Sequence, residues 1–181
     1  MHIAWRSIIP IASPGSRCSF PTHRLYSDST RQFATAYYHW YFLIQPAPLP
    51  ETLIANSVEC WLRQKFGKAA PGAITPEAFA EYLRCYSDPD TIHASCEDYR
   101  AGASIDLEHD EKDMQRKVAC PLLVLWADRA PMHRLYDVLA TWKERATNVT
   151  GKPLPGTHHF AEEIPHVVAK ELKTFFSGRA K

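Results

Sequence analysis

The 181 residues carry 21 basic and 20 acidic side chains for a formal net charge of +1, so the charge pattern excludes both a nucleic-acid footprint and attraction to an acidic membrane surface. With 45% apolar and 12% aromatic residues the chain can fill a hydrophobic core, which excludes disorder for most of its length. Cys18, Cys60, Cys85, Cys96 and Cys120 form no CxxC pair and no metal-type cluster, and no apolar run approaches the roughly 18 to 20 residues of a bilayer span. The composition therefore reads as a soluble, cytoplasmic protein with reduced thiols, no metal and no cofactor.

Residues 1 to 20 contain no acid and are rich in Ser, Pro and Arg. Pro10 interrupts the apolar stretch Ile8 to Ala12 and no amphipathic stripe is present, so this segment reads as a loose, divergent N-terminus rather than a targeting sequence. From 24 to 44, Leu25, Phe33, Tyr37, Trp40 and Leu43 recur near helical spacing and predict a helix that ends before Pro46, Pro48 and Pro50. Residues 51 to 66 predict a second helix, with Leu53, Ile54, Val58, Trp61 and Leu62 on one side. Residues 68 to 74 read as a loop. Thr75-Pro76 and Asp88-Pro89 each pair an N-cap residue with a proline at the first helical position, predicting helices to about Tyr86 and Arg100, and a further helical stretch covers 104 to 116.

The pattern changes at Pro121, where a short continuous apolar run to Ala127 marks a strand buried on both faces. A helix over 133 to 145, a weaker strand over 147 to 154, a loop over 155 to 159 and a last amphipathic helix from Pro165 to a stop at Gly178 follow. This is the closing unit of an α/β sheet, whose functional loops lie at the C-terminal ends of its strands. Two parallel strands do not suffice for a sheet, so the sheet is expected to be incomplete. The domain reading is 1–20 divergent, 21–116 helical and 117–181 the C-terminal part of an α/β core.

Three segments bear on family: 37 to 51, reading YYHWYFLIQPAPLPE; 96 to 110, which contains CEDYRAGA and IDLEHD; and 121 to 126, reading PLLVLW. Together they resemble the haloacetate (fluoroacetate) dehalogenases, with consistent spacing from about Pro21 to about Phe176. The resemblance implies a truncated α/β-hydrolase fold in which a helical cap covers the core. It also implies a chemistry: an aspartate on a nucleophile elbow displaces halide to form an ester, and a histidine activates the water that hydrolyses it. His158 lies where the family's histidine would, on the loop after the last strand, with Thr157 in place of the usual glycine. His39, Trp40 and Tyr99 correspond to the halide pocket, where N–H and O–H donors would stabilise the departing halide. Read from the residues alone, Trp40 and Tyr99 are ordinary aromatic core residues with His39 as their hydrogen-bonded partner.

An elbow needs small residues two before and two after the nucleophile, yet no two of the seven glycines are four apart, so neither GxDxG nor GxSxG occurs. The position matching the family's histidine-orienting acid falls at about Cys18, and no acid precedes Asp28. The acidic run from Glu108 to Asp113 reads as a solvated helix face rather than a metal site, and Glu97 and Asp98 as polar contacts within the helical layer. The expected activity is therefore that of a dehalogenase-like hydrolase lacking its nucleophile and inactive alone. The expected substrate, once the machinery is completed, is a small haloacid. A homo-oligomer or association through an open sheet edge is the partner expectation. The alternatives are an epoxide hydrolase or esterase-like α/β hydrolase, or a non-catalytic fragment or interaction module.

Overall fold

The computed structural model describes residues 8–11, 29–113 and 115–178. These fall into two units. Residues 29–67 and 75–117, without 114, form a helical unit, and residues 8–11, 68–74 and 118–178 form a sheet-containing unit.

The helical unit contains α1 (Arg31–Ala36), α2 (Tyr38–Leu43), α3 (Leu49–Ala55), α4 (Val58–Phe66), α5 (Pro76–Tyr86), α6 (Pro89–Gly102) and α7 (Ile105–Asp113). Its core is made by Phe33, Tyr37, Trp40, Leu43, Ile54, Leu62, Tyr86, Ile92 and Cys96. The cap signals act as anticipated: the Ala78 N–H donates to the Thr75 hydroxyl at 3.2 Å and the Asp90 N–H to Asp88 Oδ1 at 3.0 Å. The helix predicted over 24 to 44 is in fact two. Its first residues, including Leu25, lie outside the described residues, and Tyr37 (φ −120°, ψ 33°) breaks the remainder into α1 and α2. The apolar spacing runs straight through this break, because Phe33, Tyr37 and Trp40 are all buried whether or not the backbone between them is continuous. Helix α7 buries none of its side chains, consistent with the solvated acidic face expected of it.

The second unit is organised on a three-stranded sheet of order β1-β2-β3, with β1 Ile8–Ile11, β2 Leu122–Ala127 and β3 Val149–Leu154. Strands β2 and β3 are parallel in the register Leu122 to Val149 through Ala127 to Leu154. All six residues of β2 are buried, the mark of a strand covered on both faces. On one face Leu123, Leu125 and Ala127 join Leu154, Phe160 and Val168 in a core cluster, against which Ile164, Leu172 and Phe175 pack. On the other face the Trp126 indole N–H donates to His133 Nδ1 at 3.0 Å.

Strand β1 corrects the expectation of a structureless N-terminus at four residues. Ile8–Ile11 pair antiparallel with β2, Ile8 opposite Trp126 and Ile11 opposite Leu123. The rest of 1–20 lies outside the described residues. An apolar strand such as β2 presents unpaired backbone groups along its edge, and the Ile-Ile-Pro-Ile stretch supplies partners; Pro10 is tolerated because β1 is itself an edge strand.

The helix predicted over 133 to 145 also divides, into α8 (Pro131–Leu135) and α9 (Val138–Lys143). Tyr136 between them is extended (φ −137°, ψ 148°), and Asp137 caps α9 by accepting from the Ala140 N–H at 2.9 Å. A four-residue helix, α10 (Phe160–Glu163), follows the histidine loop and leads into α11 (Pro165–Ser177). Gly151 is required by packing: a Cβ there would overlap the Val124 carbonyl of the neighbouring strand.

Candidate functional site

The predicted residues fall into two groups, one in each unit. In the helical unit, His39 and Trp40 are supplied by the short helix α2, and Tyr99 by α6, where Cys96 and Ile92 are buried one and two turns earlier. Tyr99 sits against both partners edge to face. Its ring centroid is 5.9 Å from that of His39 at an interplanar angle of 75°, and 5.3 Å from that of Trp40 at 82°. Trp40 is buried, while His39 and Tyr99 are half-buried. Three rings that each carry an N–H or O–H donor thus share one patch. Tyr37, buried beside this patch with its ring 6.0 Å from His39, extends it, though the sequence marks it only as an aromatic at helical spacing.

Arg100 fixes the frame of this patch. Its Nε and Nη2 donate to the Gln45 carbonyl at 3.0 and 2.7 Å, just beyond the end of α2. Its Nη1 and Nη2 reach the two Glu51 oxygens at 2.7 and 3.1 Å, and Nη1 also meets Glu97 at 2.5 Å. One guanidinium next to Tyr99 in sequence therefore ties α6 to the end of α2 and the first turn of α3. Glu51 is held down to about 2 from an ordinary value near 4.5, first by the Arg100 hydrogen bonds, against an opposing push from burial, and then by its own backbone N–H and His93. Glu51, His93 and Glu97 could in principle surround a cation, their ligand atoms all lying within 4.8 Å of one another. Arg100 already takes the carboxylate lone pairs that a metal would need.

In the second unit His158 lies on the loop after β3, half-buried, with its ring 5.1 Å from that of the fully buried His159 at 84°. Of the two, the half-exposed His158 has the better access to water for proton exchange. The loop backbone is tied on both sides of it. Before it, the Gly156 N–H donates to Asp128 Oδ1 at 3.1 Å and the Gly156 carbonyl accepts from the Arg129 N–H at 3.1 Å. The Thr157 N–H donates to Glu163 Oε2 at 2.8 Å, and the Thr157 hydroxyl donates to Glu163 Oε1. After it, the Phe160 N–H returns to the Thr157 carbonyl at 3.1 Å, and those of Glu162 and Glu163 to the His159 carbonyl at 2.8 and 3.0 Å.

Asp128, at the end of an apolar strand, carries no sequence signal for this loop, and Glu163 is marked only by matching the Glu-Glu that follows the histidine loop in the resembled family. Burial pushes the Glu163 carboxyl up, but the donors from Thr157 and Ala70, with Arg129 nearby, outweigh it and hold the group below the usual carboxylate range.

No protein-family profile matches the chain. Over 160 residues it is 41% identical to a fluoroacetate dehalogenase of Burkholderia sp, covering 87% of this chain and 53% of that protein. It is 31% identical over 130 residues to a soluble epoxide hydrolase of Corynebacterium sp. (strain C12), covering 69% of this chain and 44% of the relative. Among solved structures, a protein of Nostoc sp PCC 7120 described as an alpha/beta hydrolase superposes with a TM-score of 0.84 at 51% identity, covering 87% of this chain and 55% of that one. The chain spans about half the length of the curated relatives it matches.

A parallel β-α-β unit ending in a strand-end histidine loop, preceded along the chain by a helical unit, defines an α/β hydrolase, and the chain belongs to that superfamily. Within it, the chain resembles a C-terminal portion of a fluoroacetate dehalogenase. Among the described residues no helix is long and apolar enough to cross a membrane.

Proposed function

We propose that this chain carries the halide-binding and water-activating parts of a haloacetate dehalogenase, and that it does not turn over substrate by itself. The observation that carries the reading is the convergence of His39 and Trp40 on Tyr99. A carbon–fluorine bond breaks only if the charge building on fluorine is stabilised, and donors fixed in a partly desolvated patch supply that stabilisation without reorganising. The sequence likeness to a fluoroacetate dehalogenase supports the same reading.

In this mechanism an aspartate from outside these 181 residues attacks the α-carbon of the haloacetate, forming the C–O bond of an ester as halide leaves toward His39, Trp40 and Tyr99. His158 then removes a proton from water, and the hydroxide adds to the carbonyl carbon of the aspartyl ester. Collapse breaks the acyl C–O bond and releases glycolate, while His158 passes its proton to solvent. Because the sequence contains no GxDxG, the first step has no nucleophile and the later ones have no ester to act on.

A second reading, opening of an epoxide by the same carboxylate and histidine, is favoured by the likeness to a soluble epoxide hydrolase. One assay separates the two. Purified chain is incubated with fluoroacetate, or with a small epoxide, alone and after mixing with the nucleophile-bearing N-terminal half of the Burkholderia dehalogenase. The proposal expects no fluoride from the chain alone and fluoride from the mixture. Diol from the epoxide without fluoride from fluoroacetate would transfer the assignment to the second reading, and fluoride from the chain alone would overturn the expected inactivity.

A further inference from the structure

The Glu163 side chain is only 2% exposed, and the Arg129 guanidinium stands off from it at 4.0 Å. Its principal contacts are donors from two stretches of chain far apart in sequence. The Thr157 N–H reaches Oε2 at 2.8 Å, the Thr157 hydroxyl reaches Oε1, and the Ala70 N–H, 93 residues away, reaches Oε1 at 2.9 Å. Gly156 leaves room for this arrangement: a Cβ on it would lie 2.6 Å from Phe160 Cβ and 3.0 Å from Glu163 Oε2. The residue that donates twice immediately precedes His158, and its carbonyl accepts from Phe160 two residues beyond the histidine.

We propose that Glu163, acting through Thr157, is the positioning residue for His158, and that the same carboxylate fastens the 68–74 loop to the histidine loop. A carboxylate that accepts from a backbone N–H and a hydroxyl of one residue fixes both the peptide plane and the side-chain rotamer of that residue. With Thr157 so fixed, the Cα–Cβ direction of His158 is set by the adjoining peptide, much as a partner of a metal-bound histidine sets its ring. Thr157 supplies the hydroxyl of this clasp, a contact that a glycine at the same place could not make. The catalytic consequence rests on reading His158 as the water-activating base, whereas the positioning itself does not.

The test uses the full chain labelled with ¹⁵N, the His158 ring signals being assigned by their loss in His158→Asn. Glu163→Gln keeps the shape but removes the charge and one acceptor oxygen. It is expected to move the His158 ring resonances and to raise amide hydrogen exchange at Thr157 and Ala70 by on the order of tenfold or more, with exchange in β2 unchanged. Thr157→Val, the second variant should Glu163→Gln fail to fold, should move the His158 resonances in the same direction, and Thr157→Ser should restore them. Unmoved His158 resonances in both Glu163→Gln and Thr157→Val, or a Thr157→Ser spectrum identical to that of Thr157→Val, would overturn the proposal. If the resonances move as expected while the mixed-half assay yields no fluoride, the positioning holds and the dehalogenase reading fails.

Discussion

Arg100 grips Glu51 with two nitrogens, Nη1 on Oε1 at 2.7 Å and Nη2 on Oε2 at 3.1 Å, across 49 residues of sequence. Both side chains are largely shielded from water, at 17% and 15% exposure, so removing one partner costs more than at a surface ion pair, because it leaves a poorly solvated charge. Because the same guanidinium holds the Gln45 carbonyl beyond α2, it also bears on where Trp40 and His39 stand relative to Tyr99.

Arg100→Lys keeps the charge but loses the fork. Urea unfolding should show a loss of about 1 to 2 kcal/mol, and Arg100→Ala a loss of about 3 kcal/mol, because alanine leaves the Glu51 carboxylate without its main donor. Near-ultraviolet dichroism should change with Arg100→Ala if the aromatic patch depends on this frame.

Acid should weaken the helical unit through the same pair. The folded Glu51 carboxyl titrates at about 2, below its ordinary value near 4.5, so the stabilisation is complete above that ordinary value and is lost as pH falls toward 2. Urea midpoints measured from pH 6 downward should decline below about pH 4.5. Glu51→Gln should be less stable near neutrality and show a shallower decline.

The thiols should separate by burial. Cys60 and Cys85 are exposed, whereas Cys96 is buried and its thiol is pushed up to about 11, chiefly by burial and then by the charge of Glu51, with Arg100 opposing. Only a thiolate reacts with an alkylating reagent, so folded chain at pH 8 should label at Cys60 and Cys85, with Cys96 on the order of a hundredfold slower. Peptide mass spectrometry checks this. Equal labelling of Cys96 would mean that α6 does not pack as described.

What could be read in the residues alone was local. The buried strand Leu122–Ala127 followed from its apolar run, and the starts of α5 and α6 from Thr75-Pro76 and Asp88-Pro89. The break at Tyr37 was invisible because burial at Phe33, Tyr37 and Trp40 satisfies helical spacing on both sides of it. The division at Tyr136 did have a signal, the capping Asp137, which the longer apolar periodicity masked. Strand β1 was hidden by Pro10, which argues against a central strand but not against an edge. His39, Trp40, Tyr99 and His158 came from family likeness rather than pattern. Arg100, beside the aromatic patch, acts through a contact 49 residues away, and Glu163 also reaches Ala70 across 93 residues, distances at which periodicity carries no information.

Under the proposed function this chain supplies the base that hydrolyses the ester but not the group that forms it. In the mixture with a nucleophile-bearing half, His158→Ala should therefore release fluoride once and stop, leaving the aspartate of the other half esterified, which intact-mass spectrometry of the mixture would register. Sustained fluoride release by His158→Ala at the rate of the unaltered chain, with no accumulated ester, would contradict it.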